Sequence, residues 1–175
     1  MKIKISSIML IFIFLFIFIQ KSVAEDLKIV FVDMDKIIAT SNAGKKAQSS
    51  MDKFAKKENQ KFDSIEANLK KKKQDILNQK NIISKEELDK KVKSFQAEIL
   101  KLRKEKAEFN RNIIKKNKEA TNKMVNEINK ILTQYASDNS VSLVIQKKNI
   151  IIGKTELDIT PEILKEFNNK VKSIN

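Results

Sequence analysis

Residues that break helices are almost missing from this chain. Its 175 residues include two glycines and one proline, Gly44, Gly153 and Pro161. From Lys45 to Ile152 there is neither. A stretch so poor in breakers is predicted to be helix as far as about Ala136. Its apolar spacing says what kind of helix. In the first half Ala55, Phe62, Leu69, Ile76 and Ile83 recur at strict sevens, supported by Met51 and Ile65. In the second half Leu88, Val92, Phe95, Ile99 and Leu102 alternate steps of four and three. That pattern resumes at Phe109 and Ile113 with Lys106 between, then drifts through Ala120, Met124, Ile128, Ile131 and Tyr135. Both halves carry coiled-coil periods, which bury one stripe rather than a globular core.

A helix-start signal divides the two halves. In "NIISKEEL", Asn81 to Leu88, Ser84 and Glu87 form a capping box, and Ile83 with Leu88 forms a hydrophobic staple. The chain is therefore expected to turn back at a tip near 79–83, giving an antiparallel helical hairpin over 45–135. At 1.5 Å per residue, 45–79 makes an arm of roughly 50 Å. The rival is one continuous helix in a parallel coiled coil.

The two ends read differently. Lys2 and Lys4, twelve apolar residues from Ile8 to Ile19, then Ser22 and Ala24 make residues 1–24 a secretory signal peptide cut after Ala24. The apolar run is short for a membrane span, and an uncleaved anchor is the alternative. "LKIVFVD" at Leu27–Asp33, "VSLVIQ" at Val141–Gln146 and "NIIIG" at Asn149–Gly153 read as strands, the last two joined at Lys147 and Lys148. "DITPEILKEF" reads as a helix capped by Thr160, with Pro161 first in the helix and Ile159 stapled to Leu164. Strands from both ends, 25–44 and 136–175, must then meet in one small β-rich body with the arm inserted between them. Three short strands and one helix bury little, so self-association is expected.

Charge and chemistry narrow the function. Between 45 and 135 there are 25 Lys or Arg against 13 Asp or Glu, a net of +12. Residues 25–44 carry −2 and 136–175 carry +1. A basic arm attracts anionic partners; the plainer reading is a solvated helix surface in a lysine-rich composition. With no His and no Cys, the common zinc sites and nucleophile–base pairs are excluded, as is any disulfide. No glycine-rich phosphate loop exists. Asp33 and Asp35 suggest a carboxylate pair, but a strand end followed by a helix cap explains them better. No catalytic residue, metal or cofactor is expected, and the chain is not read as an enzyme. Two other classes stay open: an exported coiled-coil spacer, and a basic protein for nucleic acid or anionic lipid. Export and the scarcity of Arg argue against nucleic acid.

The order of elements and three stretches resemble the Skp/OmpH family of periplasmic chaperones. "VFVDMDKIIATSNAGKKAQ" resembles the family's strand and small-residue entry to the arm, at Ser41, Ala43, Gly44, Lys45, Ala47 and Gln48. "SLVIQ" resembles its second strand. "DITPEILKEF" resembles its closing helix, at Asp158, Ile159, Thr160, Ile163 and Leu164. The resemblance spans the chain after residue 24. The segment "KKNIIIGKTELDIT" departs from it in being more apolar. The resemblance implies an α+β, mainly α fold and a homotrimer, jellyfish-like, whose bodies share a small β-barrel. Its arms would enclose a cavity that holds unfolded outer-membrane proteins without ATP, in the periplasm. Lipopolysaccharide or an anionic membrane surface is a further candidate partner. Lys72, Lys106 and Lys116 interrupt the seam, so the arm should splay readily. Expected client contacts are Phe54, Phe62, Ile82, Ile83, Phe95 and Phe109, although packing within the hairpin is the more ordinary role of a phenylalanine there. The expected trimer core is Ile29, Phe31, Leu143, Val144, Ile145 and Ile151.

Overall fold

The computed structural model describes residues 27–174; the signal peptide expected at 1–24 lies outside the described residues. The order is β1 (Ile29–Val32), α1 (Met34–Thr40), α2 (Asn42–Gln79), α3 (Lys85–Asp138), β2 (Leu143–Gln146) and α4 (Thr160–Lys170), with short 3-10 turns at Lys147–Asn149 and Thr155–Leu157. The described chain is mainly helical, with two strands.

β1 and β2 pair in parallel, Ile29 opposite Leu143 through Val32 opposite Gln146. Parallel strands need a long crossover, which α1–α3 supply. Because side chains alternate across a strand, the sheet has two unlike faces. Val30, Val32 and Val144 face a core of Ile37, Ala43, Met124, Ile128, Ile131, Ile159, Ile163 and Phe167, drawn from every helix. Ile29, Phe31, Leu143 and Ile145 share the other face, where Ile29 and Leu143 are exposed.

The small-residue stretch at 41–44 makes this packing possible. The Ser41 hydroxyl caps α2 by accepting from the Gly44 N–H at 3.1 Å, and Ala43 is fully buried. A Cβ on Gly44 would stand 1.8 Å from the Ile38 carbonyl oxygen. The bend from α1 into α2 therefore needs glycine there because of close backbone approach.

Two local expectations are corrected. Asn149–Gly153 is not a strand. A two-residue hairpin at Lys147–Lys148 would need positive φ angles, which Asn and Gly supply and lysine resists. Among the described residues the one non-glycine with positive φ is Ser140, and Lys147–Asn149 forms a 3-10 turn instead. Ile151 and Ile152 are left 100% and 91% exposed. The far edge of β1 instead bridges Asp158, with Ile159 N–H donating to the Phe31 carbonyl at 3.0 Å. The second correction is at α4, which begins at Thr160 with Ile159 as cap. The Thr160 hydroxyl is engaged elsewhere, accepting from the Asp33 N–H at 2.8 Å and donating to the Asp158 carboxylate.

Beyond the body α2 and α3 lie side by side. The Ser84 hydroxyl accepts from the Glu87 N–H at 3.3 Å and starts α3. Residue numbers rise along α2 as they fall along α3. Phe54 meets Phe109 at 5.7 Å between ring centroids, Glu66 meets Lys106 at 2.7 Å, Lys72 pairs with Glu98, and Gln79 accepts from Lys91. The residues at strict sevens form the buried stripe: Phe62 and Leu69 are buried, and Ala55, Ile76 and Ile83 half-buried.

Candidate functional site

Three surfaces bring together residues singled out in the sequence. The first is the seam between α2 and α3. Phe62, Leu69 and Leu102 are its buried centre, with Ile65, Phe95, Ile99 and Phe109 packed around them. Phe109 takes Phe62 edge-on at 5.6 Å and touches Phe54, whose ring remains partly exposed. Of the expected client contacts, Phe62, Phe95 and Phe109 thus belong to the helix–helix seam.

The lysines that interrupt this seam all find partners across it. Lys72 pairs with Glu98, and this hydrogen bond holds the Glu98 carboxyl below its ordinary range. Lys106 pairs with Glu66 and lies over the Phe62 ring at 5.6 Å. Lys116 lies over the Phe54 ring at 5.7 Å. These contacts are solvent-exposed and add little to stability. They tie the helices polar to polar without a closed apolar core, which favours easy local opening.

The second surface is the tip. Ile82 is exposed and Ile83 half-buried. Ile82 and Ile83 both donate their N–H groups to the Gln79 carbonyl, at 2.9 and 3.2 Å.

The third is the open sheet face. It gathers Ile29, Phe31, Leu143 and Ile145, but only Ile29 and Leu143 are exposed; Phe31, expected in a trimer core, is buried within the chain under Lys147 and Gly153. Ile151 lies free beyond it, and Val144 points the other way, onto the chain's own core. A buttress outside the expected residues fixes this region. The Lys147 ammonium pairs with Asp158 at 2.8 Å and sits over the Phe31 ring at 5.8 Å. Partial burial pushes the Asp158 carboxyl up, but Lys147 and Thr160 outweigh it and hold it below its ordinary value. The hydrogen bond to Asp158 in turn raises Lys147. Asp33 caps α1 by accepting from the Lys36 N–H at 2.8 Å, the role expected over a carboxylate pair.

One set of residues escaped the sequence reading. Leu77, Leu100 and Ile114 are 54%, 57% and 68% exposed on the paired helices. Each follows a seam residue, Ile76, Ile99 or Ile113, and that offset was the available signal.

A paired-helix extension carried on a small body with a parallel two-stranded sheet defines the class. The sequence profile of the family described as "Outer membrane protein (OmpH-like)" matches residues 28–167. The chain belongs to that family. The crystal structure of a protein described as a candidate OmpH-like outer membrane chaperone from Caulobacter crescentus CB15 aligns with a TM-score of 0.79. The alignment covers 84% of this chain and 87% of that one at 13% identity, a likeness of fold alone. No curated protein matches the chain.

Proposed function

We propose that this chain is an exported, ATP-independent holdase that keeps unfolded outer-membrane proteins soluble in the periplasm. Residues 1–24 direct export and are cut after Ala24. Residues 25–44 and 136–175 form the body, joined by the end of α3 that carries Met124, Ile128 and Ile131, and the rest of 45–135 forms an antiparallel hairpin arm with its tip near 79–83. Three copies join through their bodies, and their arms surround the client.

The observation that carries this reading is the poverty of the arm's own core. Three side chains, Phe62, Leu69 and Leu102, form its buried centre, although α2 and α3, of 38 and 54 residues, run well beyond the parts of them that pack in the body at Ala43 and at Met124, Ile128 and Ile131. A spacer gains from a tight seam. An element that must open around varied chains gains from a loose one with exposed apolar side chains and net positive charge. Family membership and the candidate chaperone from Caulobacter support the same reading. Trimerisation is supported by the exposed Ile29 and Leu143 of the sheet face and by Ile151 and Ile152, which nothing among the described residues covers. An enclosing partner would give Asn149–Gly153 the strand neighbour that Lys147–Lys148 denies it.

The test is light scattering from a urea-unfolded outer-membrane barrel protein on dilution. The chain should suppress scattering at low salt, with ATP making no difference. The Debye length falls from about 8 Å at 0.15 M salt to about 3 Å at 1 M. Salt added before the client should slow capture, and salt added afterwards should leave much of the complex intact. Equal aggregation with and without the chain at low salt would remove the holdase reading and favour a spacer.

A further inference from the structure

On α3 the charges are sorted by side. Between Lys93 and Lys118, at 3.6 residues per turn, Leu100, Ala107 and Ile114 fall in one file turned away from α2. Lys93, Arg103, Lys104, Arg111 and Lys118 flank that file within an arc of about 100°, and all five are exposed. The acidic residues of this stretch, Glu98 and Glu105 and Glu108, lie outside the arc. They are joined on that side by Glu119 just beyond it. Glu98 pairs with Lys72, Glu105 with Lys101 at 4.0 Å and Glu119 with Lys115 at 3.9 Å. Among the described residues the five cations of the arc make no ion pair. Arg103 and Arg111 are the only arginines in the sequence. In the antiparallel arm proposed above, Leu77 of α2 falls on this same side, because one residue past the seam turns the same way on two opposed helices.

We infer that this face of α3, centred on Leu100, Ala107 and Ile114, is where an unfolded polypeptide is held, and that it selects segments mixing apolar with acidic residues. The inference rests on the holdase reading and names the contact surface within it. Three apolar side chains about 10 Å apart offer separate footholds to a chain of no fixed register, and many weak contacts add up without a specific sequence. The guanidinium groups take carboxylates in the forked geometry that lysine lacks. A bilayer fits less well, since an interfacial helix needs a broad continuous apolar face. The same face of a second copy fits worst, because it would set five cations against five cations.

The experiment uses the full chain after residue 24. A photo-crosslinking amino acid is placed in turn at Leu100, Ile114, Lys101 and Glu108, and the chain is mixed with an unfolded barrel protein. Crosslinks should come from 100 and 114 and be scarce from 101 and 108. The double variant Leu100→Gln with Ile114→Gln should hold client about tenfold more weakly, about 1.4 kcal/mol, with unchanged circular dichroism. Arg103→Gln with Arg111→Gln should weaken holding of an acidic client more than of a neutral one. The control Lys101→Gln with Lys115→Gln should match wild type. If wild type holds client while both sides crosslink equally, or the leucine–isoleucine variant holds as well as wild type, this inference is overturned and the holdase reading stands. If that variant loses binding to phosphatidylglycerol vesicles but keeps its client, the face belongs to lipid and the inference is also overturned. If wild type holds no client, the holdase reading itself falls.

Discussion

The body and the arm bury side chains in opposite ways. The body gathers ten buried apolar residues from one strand, the helices and the segment before α4 into one cluster. The arm gathers three along a single line between two helices. Removing one contact from the body disturbs contacts made by segments far apart in sequence. Removing one from the arm disturbs a neighbourhood of two turns. The body should therefore open as a unit near the global stability, and the arm locally and at lower cost. That gradient gives a rigid body and a compliant arm from one continuous pair of helices.

The largest effect should come from the bend between α1 and α2. Gly44→Ala puts a Cβ 1.8 Å from the Ile38 carbonyl oxygen, and relief requires moving backbone. The variant should lose most of its folded population, read as loss of the cooperative urea transition. A wild-type transition would show that the bend yields easily and that the body is less rigid than argued. Phe167→Ala, at a fully buried site, should lower global stability by about 3–5 kcal/mol. Phe62→Ala sharpens the comparison: amide exchange should speed up in α2 and α3 and stay unchanged in β1 and α4. Uniform acceleration would mean one cooperative unit and no gradient.

Smaller effects follow. Leu143→Glu places a charge on the open sheet face, so the single chain should keep its fold while sedimentation shows loss of assembly. For pH the relevant group is Asp158, whose folded pKa is depressed below the ordinary value of 3.8. Its contribution is present above that value and is lost as pH falls through the lower, folded-state pKa. The body should therefore lose stability in acid below about pH 4, and Asp158→Asn should remove that part of the slope in pH-dependent urea melts. Smallest of all is Lys106→Gln, which breaks an exposed pair with Glu66 and should shift stability by less than about 1 kcal/mol.

The sequence made the arm more legible than the body, for a physical reason. A two-helix seam is a local, periodic object. Phe62 and Leu69 announce it by spacing, and Ser84 with Glu87 announces its turn by hydrogen-bond chemistry. The body depends on contacts across more than a hundred residues. Thr160 resembled a helix cap, yet its hydroxyl serves the Asp33 N–H, a partner 127 residues away. Asn149–Gly153 resembled a strand by composition, but a strand exists only with a neighbour, and none lies beside it among the described residues. On the arm the phenylalanines drew attention as client contacts because they are large. Size also makes them the best filling for the seam, and Leu100 and Ile114 were hidden as apparent irregularities beside it.

The most direct test of the account is the mass of the chain from Glu25 onward in solution, by native mass spectrometry, with and without an unfolded outer-membrane barrel protein. The account predicts three copies alone, and three copies with one client when both are present. Single copies in both samples would contradict it, because neither the shared body nor the enclosure formed by the arms would then exist.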